Sequence, residues 1–476
     1  MVRPSNSGPT DPLDPTARTP LLEGQNGVAG GDTEQPTRRM NDEYGPKDRL
    51  RVVYGLFYLL GMGTLLPWNF FTTAKLYFEY KLRNTSLPDS VDYTKPEYQT
   101  ELQVTFENYL AIAAMVPGVL FMFLNTAVTK TIRLKVRMVT SLIMMILLFV
   151  FTVILVKLDT DDWQLIFFIV TLCSVVIINA SSAIMQGCLF GLASMFPEKY
   201  TQAVMGGQAL GGTFSAVANL AAIAGASNAI ESGFGFFLSA EAVLLISLVA
   251  YLLLPFSRFA KYHIAKCSDD DIRPTTANFD SLSPDQFPRF VRPNRPSSLL
   301  IVFRRIWSLG MSVFLTFAVT LSLYPAILSA INAKEKGSGN AWTDTFFSPV
   351  VCFLIFNVGD LVGRVAAGWV RIPRDGKGLT LPLLSIIRIA FIPLFMLCNV
   401  QPRTNLPVIF EEDYYPIIFM VFFSTTNGYV GTLGMMYGPS QVLAEDAEAA
   451  GSMMSFFLAL GLCIGSLLSM AMNKLI

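Results

Sequence analysis

The chain has 476 residues, of which 52% are hydrophobic and only 15% charged, and its 35 basic and 35 acidic residues cancel. Soluble globular chains average nearer about a quarter charged, so this composition excludes an ordinary soluble domain, and the neutral balance leaves no basic footprint for nucleic acid. A single histidine, His263, excludes a His-based metal site or a Ser-His-Asp triad.

Residues 1–48 are rich in Pro, Gly, Asp and Thr, and are expected to form a disordered tail. They lack the apolar core of a cleavable signal peptide. The first apolar run, Val52–Ala74, has the length of about 20 residues that crosses a bilayer, and is read as a retained span. Ten further spans are expected at 107–127, 138–156, 163–190, 201–224, 233–255, 307–332, 346–370, 379–399, 415–437 and 450–473. Pro67, Pro117, Gly211, Gly212, Pro325 and Pro393 fall inside them, where neighbouring helices or water satisfy the freed backbone groups.

Lys and Arg in the short loops set the orientation. Lys130, Arg133, Lys135 and Arg137 follow the second span, and Arg371, Arg374 and Lys377 follow the eighth. The opposite loop, 157–162, has Lys157 against Asp159, Asp161 and Asp162. The N-terminus is therefore expected in the cytoplasm and the C-terminus outside or in a lumen. The sequon Asn84-Thr85-Ser86 falls in an outside loop, which makes Asn84 a glycosylation candidate. The polar, Pro-containing stretch 256–306 reads as a cytoplasmic linker. It divides the chain into a six-helix bundle, 49–255, and a five-helix bundle, 307–476. The fold class expected is an all-α integral membrane protein of eleven spans in 6+5 bundles. Of six cysteines only Cys267 lies clearly in a loop, and no Cys-x-x-Cys spacing exists; they read as buried small hydrophobes.

Ionisable groups inside spans are costly and mark function by default. Asp360 and Arg364 in the eighth span lie four apart on one helix face, roughly 20 Å from Asp360 back to the start of the span. A carboxylate accepts from hydroxyls and a guanidinium donates to sugar oxygens or a base carbonyl, so the pair suits a neutral, hydroxyl-rich solute. The other reading is a neutralised pair holding two helices together. Gly359 and Gly363 on the same helix have the spacing of close helix packing. Pro67-Trp68-Asn69 offers an indole for stacking on a base and an amide for its edge; equally, Trp68 suits an interfacial belt. Gln186 is a neutral amide deep in an apolar run, suited to a base or to a bond across helices. Arg388 suits either a gate or the capping of carbonyls on neighbouring helices, and is read as structural. Arg137 and Glu448 open the third and eleventh spans at the cytoplasmic side. They form either a latch between the bundles or two solvated helix-end charges.

Four runs resemble the equilibrative nucleoside transporters: Gly63–Phe71, Gln186–Gly191, Phe356–Arg364 and Arg388–Asn399, with the closing Glu448–Gly451. The resemblance extends over nearly all of the chain after about residue 50. It implies eleven spans, a cytoplasmic N-terminus, an architecture related to the major facilitator fold, and bidirectional, facilitative flux of purine and pyrimidine nucleosides. It also implies that Leu65, Trp68, Met115, Gln186, Asn357, Asp360 and Arg364 line the central site, with Gln186 reading the base and Asp360 and Arg364 holding the ribose. Asn69, Arg137, Tyr324 and Glu448 then form the gating set. Thr72 stands where some members carry Met, and Ser182 where some carry Gly. No cofactor is expected, and no Gly-x-x-x-x-Gly-Lys-Ser/Thr loop occurs; the partners expected are nucleosides and membrane lipid.

The alternative is a proton-coupled nucleoside or nucleobase transporter of endolysosomal membranes, with Asp360 or Glu448 as the proton carrier. Arg364 argues against Asp360 in that role, because a neighbouring cation keeps a carboxylate ionised. Leu21-Leu22 resembles a sorting dileucine, but Ala17 stands where the acid belongs, so the plasma membrane is the expected address. A membrane enzyme or a receptor is the remaining alternative, and the sparse ionisable groups speak against an enzyme.

Overall fold

The computed structural model describes residues 46–86, 98, 100–224, 229–267, 298–374, 376, 378–401, 403 and 406–472. Most of the expected tail, the Leu21-Leu22 segment and the middle of the expected linker lie outside the described residues.

The described chain is helical. In order, the long helices are α1 (Val52–Thr73), α2 (Glu101–Ala127), α3 (Leu134–Lys157), α4 (Gln164–Ser194), α5 (Glu198–Ala224), α6 (Ala229–Leu253), α7 (Leu299–Leu323) and α8 (Ile355–Trp369). Then come α9, in two pieces (Thr380–Ile387 and Phe391–Met396), α10 (Tyr414–Ser440) and α11 (Ala447–Met472). Among the described residues seven helical stretches are long and apolar enough to cross a membrane, at Leu134–Lys157, Asp161–Ser194, Gly233–Phe256, Leu299–Ala330, Pro349–Trp369, Tyr414–Ser440 and Ala444–Met472. Their outward faces carry Leu147, Leu165 and Phe422, each more than half exposed. An apolar surface of that extent is a liability in water and the natural lining of a protein in lipid.

Local chemistry sets several boundaries. Thr100 and Gln103 form a reciprocal capping box that starts α2 ahead of its apolar run. Asp48 accepts from the backbone N–H of Val53 at 3.2 Å and of Tyr54 at 3.0 Å, satisfying the first turn of α1. Pro67 and Pro117 sit within α1 and α2, as expected for helices with packed neighbours. Three spans differ from expectation; the eighth is regular α-helix only from Ile355, after a π-helical stretch at Pro349–Leu354. The seventh helix runs from Leu299 to Leu323 rather than over 307–332. It starts early because Ser298 caps it, accepting from the Leu300 N–H, and it ends early because a residue before proline, here Tyr324, is driven out of helical geometry. The ninth is interrupted by a 3-10 turn, Arg388–Ala390.

Glycines bring particular helices into backbone contact. A Cβ at Gly61 or Gly207 would collide with the α5 or α1 backbone, and one at Gly363 or Gly428 would collide across α8 and α10. Gly451 is pressed in the same way against Phe190 of α4. The α8–α10 contact fixes the spacing on which the polar centre described next depends.

Candidate functional site

Asn357, Asp360 and Arg364 recur at helical spacing on α8 and so share a face. Asp360 and Arg364 are buried, at 4% and 5% exposure. Arg364 Nε donates to Asp360 Oδ2 at 2.8 Å. Its Nη1 donates to the Met205 carbonyl at 2.9 Å and to Gln208 Oε1 at 3.3 Å, both on α5. Gln208 Nε2 in turn donates to Thr64 Oγ1 of α1 at 3.0 Å, and Ser182 of α4 donates to the Thr64 carbonyl at 2.6 Å.

The chain of hydrogen bonds continues on the other side. Asn427 Nδ2 of α10 donates to Asp360 Oδ1 at 2.7 Å. Thr320 Oγ1 of α7 donates to Asn427 Oδ1 at 2.7 Å, and Arg388 Nη2 donates to Thr320 Oγ1 at 2.8 Å. Polar side chains from α4, α1, α5, α8, α10, α7 and the turn within α9 are thus joined in one line. Neither oxygen of Asp360 lacks a donor, which is what an ionised carboxylate requires when removed from water.

Arg388 is 1% exposed. It also donates to the Phe423 carbonyl at 2.8 Å and to Thr426, and its guanidinium lies 4.9 Å from the Phe423 ring centre. Its bond to the Phe423 carbonyl is the kind expected of a structural arginine, and its bond to Thr320 leads on to Asp360.

Asn357 is half-buried. Its Nδ2 donates to the Phe353 carbonyl at 2.8 Å and lies 3.5 Å from the Tyr324 hydroxyl, and Gly212 of α5 packs against its amide. The Tyr324 ring stacks on Phe356 with centres 4.0 Å apart. Leu65 and Trp68 are half-buried on α1, one residue and one turn beyond Thr64. Asn69 follows, and its carbonyl accepts from Ser215 at 3.4 Å. Gln186 lies one turn beyond Ser182; it is buried and has no hydrogen-bond partner among the described residues. Met115, half-buried on α2, is not reached by the hydrogen-bonded line. The side chain of Thr72 lies outside what the structure describes. Asn84 is exposed, with its Oδ1 accepting from the Ser86 N–H at 3.0 Å.

At one end of the molecule Arg137 of α3 pairs with Glu448 of α11. Arg137 is 5% exposed and is not a solvated helix-end charge: its Nη1 donates to Asn125 Oδ1 at 2.7 Å and its Nε to the Ile132 carbonyl at 3.1 Å. Lys130 reaches Asp446 at 3.3 Å, and Arg371 reaches Glu198 at 2.6 Å, at the same end.

Sequence reasoning singled out Asp360 and Arg364 but not Gln208, Asn427, Thr320 or Thr64, the side chains that hold them. The available signal was the one used for Gln186, a neutral amide within an apolar helix. Glu241, buried in α6 with one carboxylate oxygen lacking a partner, was missed in the same way.

Comparison with known proteins bears on this arrangement. The family model described as "Nucleoside transporter" matches residues 172–474. The chain is 38% identical to equilibrative nucleoside transporter 3 of Rattus norvegicus over 429 residues, covering 88% of each chain. It is 36% identical to equilibrative nucleoside transporter 1 of Homo sapiens over 465 residues, covering 92% of this chain and 100% of that one. It is also 36% identical to equilibrative nucleoside transporter 2 of Mus musculus, covering 90% and 99%. Among solved structures, the crystal structure of FucP, a major facilitator superfamily transporter in the outward conformation, aligns with a TM-score of 0.53 at 11% identity, covering 88% of this chain and 91% of that one. At that identity the likeness concerns the fold alone.

Proposed function

The chain belongs to the equilibrative nucleoside transporter family, and from that premise we propose that it moves purine and pyrimidine nucleosides down their gradient by alternating access, with Asp360 and Arg364 at the centre of the site. It is a multi-pass integral membrane protein and a transporter rather than an enzyme. The observation that carries the assignment of the site is the buried Asp360–Arg364 pair, because it meets side chains from both halves of the chain: Gln208 on one side and Asn427 on the other.

In this reading α1, α2, α5 and α9 cross the membrane with the seven most apolar stretches. That makes eleven passes, with the N-terminus cytoplasmic and a plasma-membrane address. The helices of 49–255 and 307–476 act as two bundles that rock about the pair. Asp360 accepts from a ribose hydroxyl, and Arg364 exchanges its bonds to Met205 and Gln208 for bonds to the sugar. Such an exchange conserves hydrogen bonds, so the charges stay satisfied while the contact between the bundles is released. Gln186 supplies its unengaged amide to the base edge. Leu65, Trp68 and Met115 give the base apolar faces, and Asn357 completes the sugar side. Arg137 with Glu448 latches the cytoplasmic side, while Tyr324 and Asn69 close the outer one. Asn84 carries the glycan. The engagement of Asp360 by both Arg364 and Asn427 favours transport driven by the substrate gradient over proton coupling.

Uptake of labelled uridine and adenosine into liposomes holding the purified protein tests this. Saturable uptake that stops at equal concentrations, and is lost in Asp360→Ala, is expected with no gradient but that of substrate. Uptake that appears only when an inward proton gradient is imposed would overturn the uncoupled mechanism.

A further inference from the structure

Asp360 is held by a line of side chains that serves no evident packing purpose. Asn427 uses both ends of its amide: Nδ2 donates to Asp360 Oδ1, and Oδ1 accepts from Thr320. Thr320 accepts from Arg388, a buried cation with no salt-bridge partner among the described residues. Hydrogen bonds in a low-dielectric interior polarise one another, so the Arg388 charge strengthens the donor that Asn427 presents. The backbone makes this geometry obligatory. Gly428, next to Asn427, abuts the Asp360 carbonyl with no room for a Cβ, and Gly363 abuts the Thr425 carbonyl in the same way. The amide is therefore delivered to one carboxylate oxygen at a fixed register.

We propose that Asn427, backed by Thr320 and Arg388, is a positioning residue that fixes the rotation of Asp360, so that the carboxylate meets a sugar hydroxyl of the substrate already aligned. The proposal rests on the reading that Asp360 touches the nucleoside. Arg364 alone does not do this work, because it binds only Oδ2 and is itself shared with α5. Asn427 adds a second, independent bond from α10, which holds the carboxylate plane against rotation.

The test uses two variants of the full-length protein in liposomes, with uridine, 2′-deoxyuridine and 3′-deoxyuridine as probes. Asn427→Asp keeps the shape and the acceptor but deletes the donor. It sets two carboxylates at hydrogen-bond distance, whose mutual repulsion makes one of them take up a proton more readily than a lone carboxylate does as pH falls. Uridine flux is expected to fall about 10- to 100-fold at neutral pH, the size of one hydrogen bond to a charged group. It should then recover as pH is lowered and that proton restores a donor, while the unsubstituted protein keeps its flux over the same range. Thr320→Val removes the relay and leaves the direct bond. Its expected effect is a several-fold rise in KM for uridine that shrinks for at least one deoxy analogue.

Unchanged flux and pH profile in Asn427→Asp would overturn the proposal. So would Thr320→Val changes that are equal for all three probes, because helix packing alone does not distinguish a sugar hydroxyl. If Asn427→Asp fails to fold, the analogue comparison in Thr320→Val decides by itself. Absence of saturable uridine flux in the unsubstituted protein would instead remove the transport reading on which the proposal stands.

Discussion

Two ion pairs, one buried and one partly exposed, occupy different regions of the molecule and are held in different ways. Asp360–Arg364 lies within one helix, with both side chains 6% exposed, and it is bonded further to α5 and α10. Arg137–Glu448 joins two helices far apart in sequence, α3 and α11, with side-chain exposures of 5% and 20%. Glu448 meets Arg137 directly, and Asn125 supports the arginine. The first pair has directional partners for both its acid and its base, whereas the second has them on the arginine side, from Asn125 and the Ile132 carbonyl. A pair of the first kind suits a site that must present defined lone pairs, and a pair of the second kind suits a contact that must form and break.

Exchanging the charges separates the two kinds, and the largest effect belongs to the first pair. Asp360→Asn leaves Arg364 buried without its counter-ion, a loss of about 3–5 kcal/mol for a buried pair, so transport is expected to fall by at least about 100-fold. The exchanged pair, Asp360→Arg with Arg364→Asp, is expected to restore nothing, because Asn427 would then direct an N–H at a guanidinium and Gln208 would direct an oxygen at a carboxylate. Recovery in the double variant, measured as uridine kcat/KM at matched protein levels, would show that only net charge matters there.

A smaller effect is expected at the second pair. Glu448→Lys should change the ratio of influx to efflux KM several-fold by removing the latch from one of the two proposed states, and adding Arg137→Glu should restore it in part. The restoration should be incomplete because Asn125 Oδ1 and the Ile132 carbonyl accept from Arg137 and would face a carboxylate instead. Equal ratios in the unsubstituted, single and double forms would reduce the pair to a structural contact.

The two regions also differ in how far the sequence discloses them. The apolar runs mark the helices because crossing lipid demands length, and Asp360 and Arg364 stand out because charge is rare at that depth. Their partners do not stand out. Gln208 and Asn427 are neutral amides whose relevant neighbours lie 156 and 67 residues away along the chain. Thr320 resembles any helical threonine that bonds its own preceding turn: the Thr316 carbonyl lies 2.8 Å from the same hydroxyl and competes with Asn427 for its one proton. Periodicity reports a residue's face on its own helix, and nothing local reports which residue of another helix meets it. Arg137 shows the converse. Its place at a helix end made a solvated charge reasonable, and only the packing of α2 and α11 over it makes it a buried one. The end of α7 at Leu323 was legible from Pro325, but proline is tolerated in packed membrane helices, and the apolar run hid the stop.

The smallest expected effect completes the series. Arg371 and Glu198 join the end of α8 to the start of α5 at 2.6 Å, at the same end of the molecule as Arg137 and Glu448, but their side chains are 34% and 32% exposed. An exposed pair typically contributes about 0–1 kcal/mol, because water solvates the separated charges nearly as well and salt screens them. Arg371→Ala is therefore expected to alter uridine flux by less than about twofold, with the difference narrowing as ionic strength rises. Arg137→Ala should have the larger effect at every salt concentration, because Glu448, only 20% exposed, would lose its counter-ion where water replaces it poorly. The two pairs share location and charge type and differ in exposure, so comparing these substitutions isolates burial as the variable. If Arg371→Ala proved as damaging as Arg137→Ala, burial would not rank the pairs, and any ion pair bridging helices at this end would serve equally as a latch.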